Sequence, residues 1–589
     1  MKGAEKPRFR FQEMQLVFLL FVLLAVCVCA LQRNVSYQGR KRLLKPYAAE
    51  TASSKVMEQP AECLLLWEGD ELGQLGRKMM EQVLTQMKIP YTSREGKEEN
   101  VKDLRQYRTV VLSMTNLGRL NEAILELLEW VEEGGRLMVV YPPVLNGTFR
   151  LAADDLGVQS IGNRMEYVSE VEFEDSFMLT GGLKALKLPA PYESSLQVHL
   201  LPECSVYLWA GASGAMPLIW TYENGEGRVV FCNLGHMEKD FRGFYSSAYS
   251  LLDDFCVWQV INGSAFYMDA FPAPAPEGEN AYIRREYGMS VSAFHKQVWW
   301  NDLHNLAKSR GLRYTGFVTQ GEPDHEAESF GRQSNTQDFL YYGSLLLNQG
   351  GELGLYGCAD MEEGVQELLA ACRILFPEER FQVYSPPANV LSEEERRLLK
   401  ETFPDICAIA GAYLPGGPVY EQEFGIGEDG LVNTPKILSG YTFGKQEWLM
   451  AVSELNIHYV SSHAQHFYDV LAENGGQRPD WKGQLDRLSA YVDWLYQAAP
   501  KLRCLTGTEL AGAVQRYADV RPVCQRTGEG IRLTLENFVD EAWFLLRCNN
   551  FVPDLESVEG GALTRLTGEL YLLEARNGTV RIREREEEK

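Results

Sequence analysis

The sequence predicts an α/β protein made of two successive strand–helix series followed by a short all-β unit. Three observations carry this reading. From about residue 62, apolar runs of strand length alternate with amphipathic runs of helix length. The alternation restarts near 263. Beyond 520 the helical period stops, leaving short segments such as "GIRLTLEN" and "GTVRIRE". At 589 residues the chain has length for two to four domains with full cores.

The chain opens on a basic stretch, "MKGAEKPRFRFQEMQ", followed by "LVFLLFVLLAVCVCAL" at 16–31, and no charge falls between Glu13 and Arg33. The run is slightly short of the ~20 residues of a full span, yet longer than a signal-peptide core of about 7–15. No small-x-small cleavage site follows, and Val26 before Cys27 does not suit a lipoprotein site. Lys2, Lys6, Arg8 and Arg10 favour an inside N-terminus, although Arg33, Arg40, Lys41, Arg42 and Lys45 pull the other way. The expectation is a single-pass cell-membrane protein, bulk extracytoplasmic: cytoplasmic start and signal-anchor at 1–32, linker at 33–59. A cleaved signal is the alternative.

The net charge of −24, with a pI near 4.9, argues against a nucleic-acid partner and suits either ordinary solubility or a neutral or cationic ligand. Ten of the twelve cysteines lie beyond the apolar run, without CxxC spacing, so neither a zinc–thiolate site nor an obligatory disulfide is expected.

In the first unit, 60–260, "CLLLW" reads as a buried strand, 70–88 as a helix, "TVVLSM" as a strand and "LNEAILELLEWVEEGG" as a glycine-stopped helix. "RLMVVYPP" and "SVYLWA" add strands, and "PLIWTYENGEGRVVFCNLG" a hairpin turning at Asn224-Gly225. A mainly parallel, doubly wound sheet follows. No G-x-G-x-x-G follows its first strand, which leaves a dinucleotide site unsupported.

The second unit, 263–510, opens with "AFYMDAF" and a helix at 290–309. "YTGFVT", "ELGLYG", "RFQVYSPP" and "ICAIAGAYL" read as strands, with helices at 362–375 and 392–402 between them. "VNTPKILSGY", helix 445–455, "IHYVSSHAQHFYD", helix 481–498 and "LRCLTGTEL" complete the series. Repeats of 25–45 residues predict a (β/α) barrel whose site lies at the carboxyl ends of the strands. Residues 520–585 predict a small β-sandwich. Polar residues at the expected rim are Asp269, Tyr356, Asp360, Asn389, His458, His463 and His466. Three of the chain's eight histidines thus fall within nine residues. Phe271, Tyr356 and Trp299 would suit sugar faces.

Two resemblances sharpen this reading. "GEGRVVFCNLGHMEKDFRGFYSSAYSLL" (225–252) resembles the class I glutamine amidotransferase-like fold, but none of Cys63, Cys204, Cys232 or Cys256 stands in a nucleophile elbow and His236 has no evident partner. A non-catalytic docking module is expected. The stretches "DAFPAPAPEG", "VWWNDLHNLAKSRGLRYTGFV", "YYGSLLLNQGGELGLYG", "YSPPANVLSEEERRLLKETFPDI", "YEQEFGIGEDGLVNTPKI" and "SSHAQHFYDVL" resemble the NodB-type polysaccharide deacetylase barrel, in particular that of Pel exopolysaccharide systems and Gram-positive relatives.

That resemblance implies metal-assisted removal of N-acetyl groups from a sugar polymer, with an aspartate base and a histidine acid. Asp269 matches the base, and His463 and His466 match the late histidine motif. The metal-binding positions are Ala270, Tyr356 and Asp360, so two of three ligands are replaced and Asp360 alone suits a hard cation. The resemblance therefore implies a degenerate site that binds or guides a secreted amino-sugar polysaccharide, with Phe271, Tyr356 and Asn389 as substrate contacts and exopolysaccharide synthase components as partners. The alternative is an active carbohydrate N-deacetylase with a divalent ion such as zinc on a rearranged set (Asp269, Asp360 and one of His458, His463 or His466). A third reading makes 62–260 a docking scaffold beside a passive barrel.

Overall fold

A computed structural model describes residues 46, 61–211, 216–272, 279–319, 336–357, 363–386, 390–413, 422–471 and 480–585. The apolar run 16–31 and, Pro46 apart, the linker 33–59 lie outside the described residues, as do Asp360 and Asn389. Among the described residues no helix is long and apolar enough to cross a membrane.

The first sheet has nine strands. Five are parallel, in the spatial order Tyr91–Glu95, Cys63–Trp67, Thr109–Ser113, Arg136–Val139 and Gly227–Cys232. Leu64, Leu65 and Leu66 are all fully buried, as expected where both faces of a parallel sheet are covered. The helix Glu71–Gln86 starts at Asp70, whose carboxylate accepts from Gly73 N at 2.7 Å. Gly225, at φ 62°, turns the chain from Met216–Asn224 into Gly227–Cys232. The sheet then continues antiparallel through Ser205–Ala210 to a ribbon of Val158–Phe173 and Ala185–Leu200. Register shifts along that ribbon break the alternation that would have announced it in the sequence.

In the second unit the strands Gly263–Phe271, Tyr314–Val318, Glu352–Tyr356, Val383–Ser385 and Ala408–Ile409 pair in parallel, and Val460–Gln465 flanks the first of them. The two ends of this path meet in one stretch of chain. Val432–Asn433 pairs with Ala408–Ile409, Lys436 bridges to Ala412, and Leu438–Ser439 pairs with Val460–Gln465, so the sheet curls back on itself. The helix Trp481–Ala498 matches its expected span. "GTEL", expected to finish a strand segment, instead starts the helix Gly507–Asp519, where Thr506 N donates to the Glu509 carboxylate at 3.0 Å. This helix closes the amino-terminal end of the strands: Thr508 N donates to Glu352 at 2.9 Å, and Arg313 pairs with Glu509. It is buried nearly all round, and Leu510, Val514 and Tyr517 recur at helical spacing along it.

The C-terminal unit packs a four-stranded sheet on a three-stranded one around Ile531, Leu533, Phe544, Leu546, Leu573 and Val580. One of the four strands is Phe255–Val260, placed by sequence in the first unit; it pairs antiparallel with Ala542–Cys548. Its pairing partner lies almost 300 residues along the chain, beyond the reach of any local pattern.

The first unit docks on the second through the helices Arg242–Tyr249 and Lys445–Ile457. At Gly243 they approach so closely that a Cβ would sit 2.2 Å from the Ser453 carbonyl oxygen. Beside it Arg242, 1 % exposed, donates to Glu423 at 2.8 Å and reaches Glu454 at 3.4 Å.

Candidate functional site

The strand Gly263–Phe271 carries Asp269 to the carboxyl end of the curled sheet. Its pairing with Tyr314–Val318 shifts between Met268 and Phe271, and Ala270 inside that bulge is fully buried at φ +53°. An L-residue in the left-handed region costs energy, and bulges of this kind re-aim side chains.

The Asp269 carboxylate is held from two sides. Lys436 Nζ donates to both its oxygens, at 2.8 and 2.7 Å, and to Ser385 Oγ at 2.8 Å, while Ser385 Oγ donates to Asp269 Oδ1 at 3.3 Å. Lys436 also lies 5.6 Å from the Phe317 ring centroid. Neither Lys436 nor Ser385 was singled out from the sequence. The signal was slender: one lysine in "VNTPKI" and one serine in "VYSPP", each at a strand end. Serine–lysine pairs can serve as nucleophile and base, but here Lys436 Nζ is engaged by both oxygens of Asp269, and Ser385 is fully buried. The trio is an electrostatic lock.

The donor set does not fit the metal triad that the resemblance implies. Ala270 has no donor, Asp269 is engaged by Lys436 and Ser385, and Tyr356, in register with Ser385, supplies a phenol in place of an imidazole. Among the described residues, no group of three potential ligands gathers at this end of the curled sheet.

The histidines separate. In the pairing of Gly263–Phe271 with Val460–Gln465, Ala265 and Tyr267 match Ser462 and Ala464, while Phe266 matches His463. Strand alternation therefore puts Asp269 on the face of Ser462 and His463 on the opposite face. There His463 sits among Phe443, Phe266 and Tyr491 at 5.7, 6.2 and 6.2 Å and donates from Nε2 to the Gly440 carbonyl at 2.7 Å. Burial pulls its pKa down to about 4, so at neutral pH it carries no charge. The structure does not bring it to Asp269 as an acid.

His458 precedes the strand, at its amino end, where Nδ1 meets Glu454 at 2.7 Å in the buried Arg242 network. It is a member of the junction and not of the rim. Burial alone would raise the Glu454 carboxyl, but His458, Arg242 and Tyr413 hold it down to about 2. His466 alone stands at the same end as Asp269, half-buried, its Nδ1 accepting from Tyr468 N at 3.1 Å. Phe271, expected to face sugar, is 2 % exposed and packs 5.6 Å from Trp300; Trp299 is likewise buried, donating to Tyr441 at 3.0 Å. Both are core, because the bulge turns Phe271 toward the surrounding helices.

A cavity of about 650 Å³ opens beside the lock, bordered by Pro386 and Pro435, the neighbours of Ser385 and Lys436, and by Arg396, Arg397 and Glu428. Arg396 is itself braced by Asp429 at 2.7 Å and Asn433 at 2.9 Å.

The first unit carries no activated thiol. Burial pushes Cys63 up to about 12 and Cys204 up to about 11, and raises Cys232 and Cys256 as well. Between its first and third strands in sequence, where such sheets bind ligands, the buried carboxylate of Glu68 accepts from Thr115 N and Asn116 N at 2.9 and 3.2 Å.

Among solved structures, the carbohydrate deacetylase Agd3 is similar in fold, with a TM-score of 0.50 and 10% identity over 89% of this chain and 98% of that one. A β-galactosidase from Bacillus circulans sp. alkalophilus aligns over 34% of each chain (TM-score 0.24, 12% identity). A ThuA-like protein from Bacteroides uniformis aligns over 35% of this chain and 92% of its own (TM-score 0.23, 17% identity). No curated protein sequence matches the chain. The chain has a deacetylase-like α/β fold. A family model described as "Uncharacterised protein conserved in bacteria (DUF2194)" matches residues 20–194 and 191–572, and the chain belongs to that family.

Proposed function

We propose that this is a membrane-anchored, extracytoplasmic polysaccharide deacetylase-like protein whose degenerate barrel site binds or guides an amino-sugar polymer. The carrying observation is that Lys436 places its ammonium against both oxygens of Asp269, beside positions 270 and 356 that offer no metal-binding pair. Both oxygens of this carboxylate are engaged by Lys436, and one also by Ser385, which opposes a role as base or metal ligand. The adjacent 650 Å³ cavity gives a sugar chain room, and the net charge of −24 suits a neutral or partly cationic polymer. The fold likeness to a carbohydrate deacetylase supports the substrate class. The uncharged run 16–31 supports the anchor, and with it a place beside synthase components in exopolysaccharide production of the Pel type.

The alternative is an active N-deacetylase with a divalent ion such as zinc on a rearranged ligand set. One observation favours it: His466 shares the carboxyl end of the barrel with Asp269. Purified protein incubated with partially acetylated amino-sugar polymers, with and without added zinc, separates the two readings. Co-sedimentation with the polymer and no acetate release is expected; zinc-dependent acetate release would establish the alternative.

A further inference from the structure

We infer that His236, Glu238 and Asp240 form a divalent-metal site at the junction of the first unit with the barrel. The three residues follow the strand Gly227–Cys232, on and before the single turn Lys239–Phe241, at the carboxyl edge where open α/β sheets carry their sites. His236 Nε2 lies 3.4 Å from Asp240 Oδ1 and 3.9 Å from Glu238 Oε2. Ligand atoms around a tetrahedral zinc with bonds near 2.0–2.1 Å stand about 3.3–3.4 Å apart; the three ligand atoms here lie within 4.8 Å of one another, so the exposed Glu238 would close in to complete a face.

The independent observation is Asp240 itself. It is 1 % exposed, and its Oδ1 faces His236 Nε2 at 3.4 Å without either atom making a hydrogen bond. A buried carboxylate oxygen without a donor is costly, and a cation placed between it and the imidazole removes the cost. The surroundings hold the ligands in place as they do in metal sites. Gln446, on the barrel's helix Lys445–Ile457, donates to the other oxygen of Asp240 at 2.6 Å. Phe241 and Tyr192 flank the imidazole at 4.5 and 6.3 Å. One nitrogen and two carboxylates select zinc, manganese or ferrous iron over soft cations, and three protein ligands leave a further position to water. Because Asp240 is braced by Gln446, the ion would tie the two units together.

The test is zinc and, separately, manganese binding by the full chain in detergent after chelator treatment and dialysis. One equivalent retained, with a rise in melting temperature, is expected; His236→Gln and Asp240→Asn should each weaken retention about tenfold or more and abolish the rise. Gln446→Ala should weaken it by a similar factor without removing a ligand. Cobalt(II) loaded into the unmodified chain reports coordination directly by its visible absorption, whatever the variants do to folding. No bound metal and no cobalt spectrum would overturn the site, leaving a His236–Asp240 ion pair only. Metal that survives His236→Gln and Asp240→Asn but leaves with Asp269→Asn would place the ion in the barrel and equally overturn it.

Discussion

Lys436 Nζ lies 2.7 and 2.8 Å from the two carboxylate oxygens of Asp269, with the lysine side chain 5 % exposed and the aspartate 13 %. The residues are 167 positions apart, and their pairing occupies the carboxylate at the carboxyl end of the curled sheet. Removing one member of a buried pair leaves an uncompensated charge, at a cost of about 3–5 kcal/mol. Lys436→Met is therefore expected to destabilise the barrel by that order, and Asp269→Leu added to it should recover most of the loss. Hydrogen exchange of the Gly263–Phe271 amides reads this locally. A neutral Lys436→Met would show that the pair is not formed.

The same lock governs any attempt to restore a metal. Ala270→Asp is tolerated by the backbone, since aspartate is among the residues enriched in the left-handed region. With Tyr356→His and Asp360→His it would supply the missing donors, yet Lys436 still presents a cation to Asp269. We expect the triple variant to hold zinc weakly at the barrel, and to hold it tightly only when Lys436→Met is added. Elemental analysis after dialysis, in a His236→Gln background, makes the comparison; tight zinc with Lys436 in place would refute it.

Acid should weaken the fold in two steps. Burial holds His463 and His295 near 4, below the ordinary 6.5. The unfolded chain takes up those protons first, so stability is full above about pH 6.5 and falls as pH drops toward 4, by roughly 3 kcal/mol for each ring. Glu454, held at about 2, contributes stability that is present above 4.5 and lost below it. Melting temperatures between pH 8 and 4 should trace the first step, and His463→Phe should flatten it. An unchanged slope in that variant would assign the effect elsewhere.

The junction depends on one close approach and one charge. Gly243→Val would drive a side chain into the Ser453 backbone, and Arg242→Met would leave Glu423 and Glu454 without their guanidinium. Both should loosen the first unit from the barrel, with a loss of about 3–5 kcal/mol for Arg242→Met. Faster proteolytic separation of the two units is the readout; unaltered cleavage would mean that the contact is dispensable.

Much of the fold was legible in the primary structure. The helices Glu71–Gln86 and Trp481–Ala498 and the hairpin at Gly225 were visible from capping residues, apolar spacing and turn chemistry, all within a few residues of one another. The helix Gly507–Asp519 was missed although Leu510, Val514 and Tyr517 keep helical spacing, whereas the strand Phe255–Val260 was assigned to the wrong neighbour because its partner is remote.

For the site, the sequence by itself determined the residue types: a retained Asp269, an Ala270 that can bind nothing, and histidines at 463 and 466. Only the tertiary structure decided that Lys436 and Ser385 close on Asp269, that His463 faces the helices and that His458 belongs to the junction. The physical reason is range. Periodicity and capping act between near neighbours, whereas an ion pair across 167 residues, and the face on which a strand presents one histidine, are set by register between distant strands.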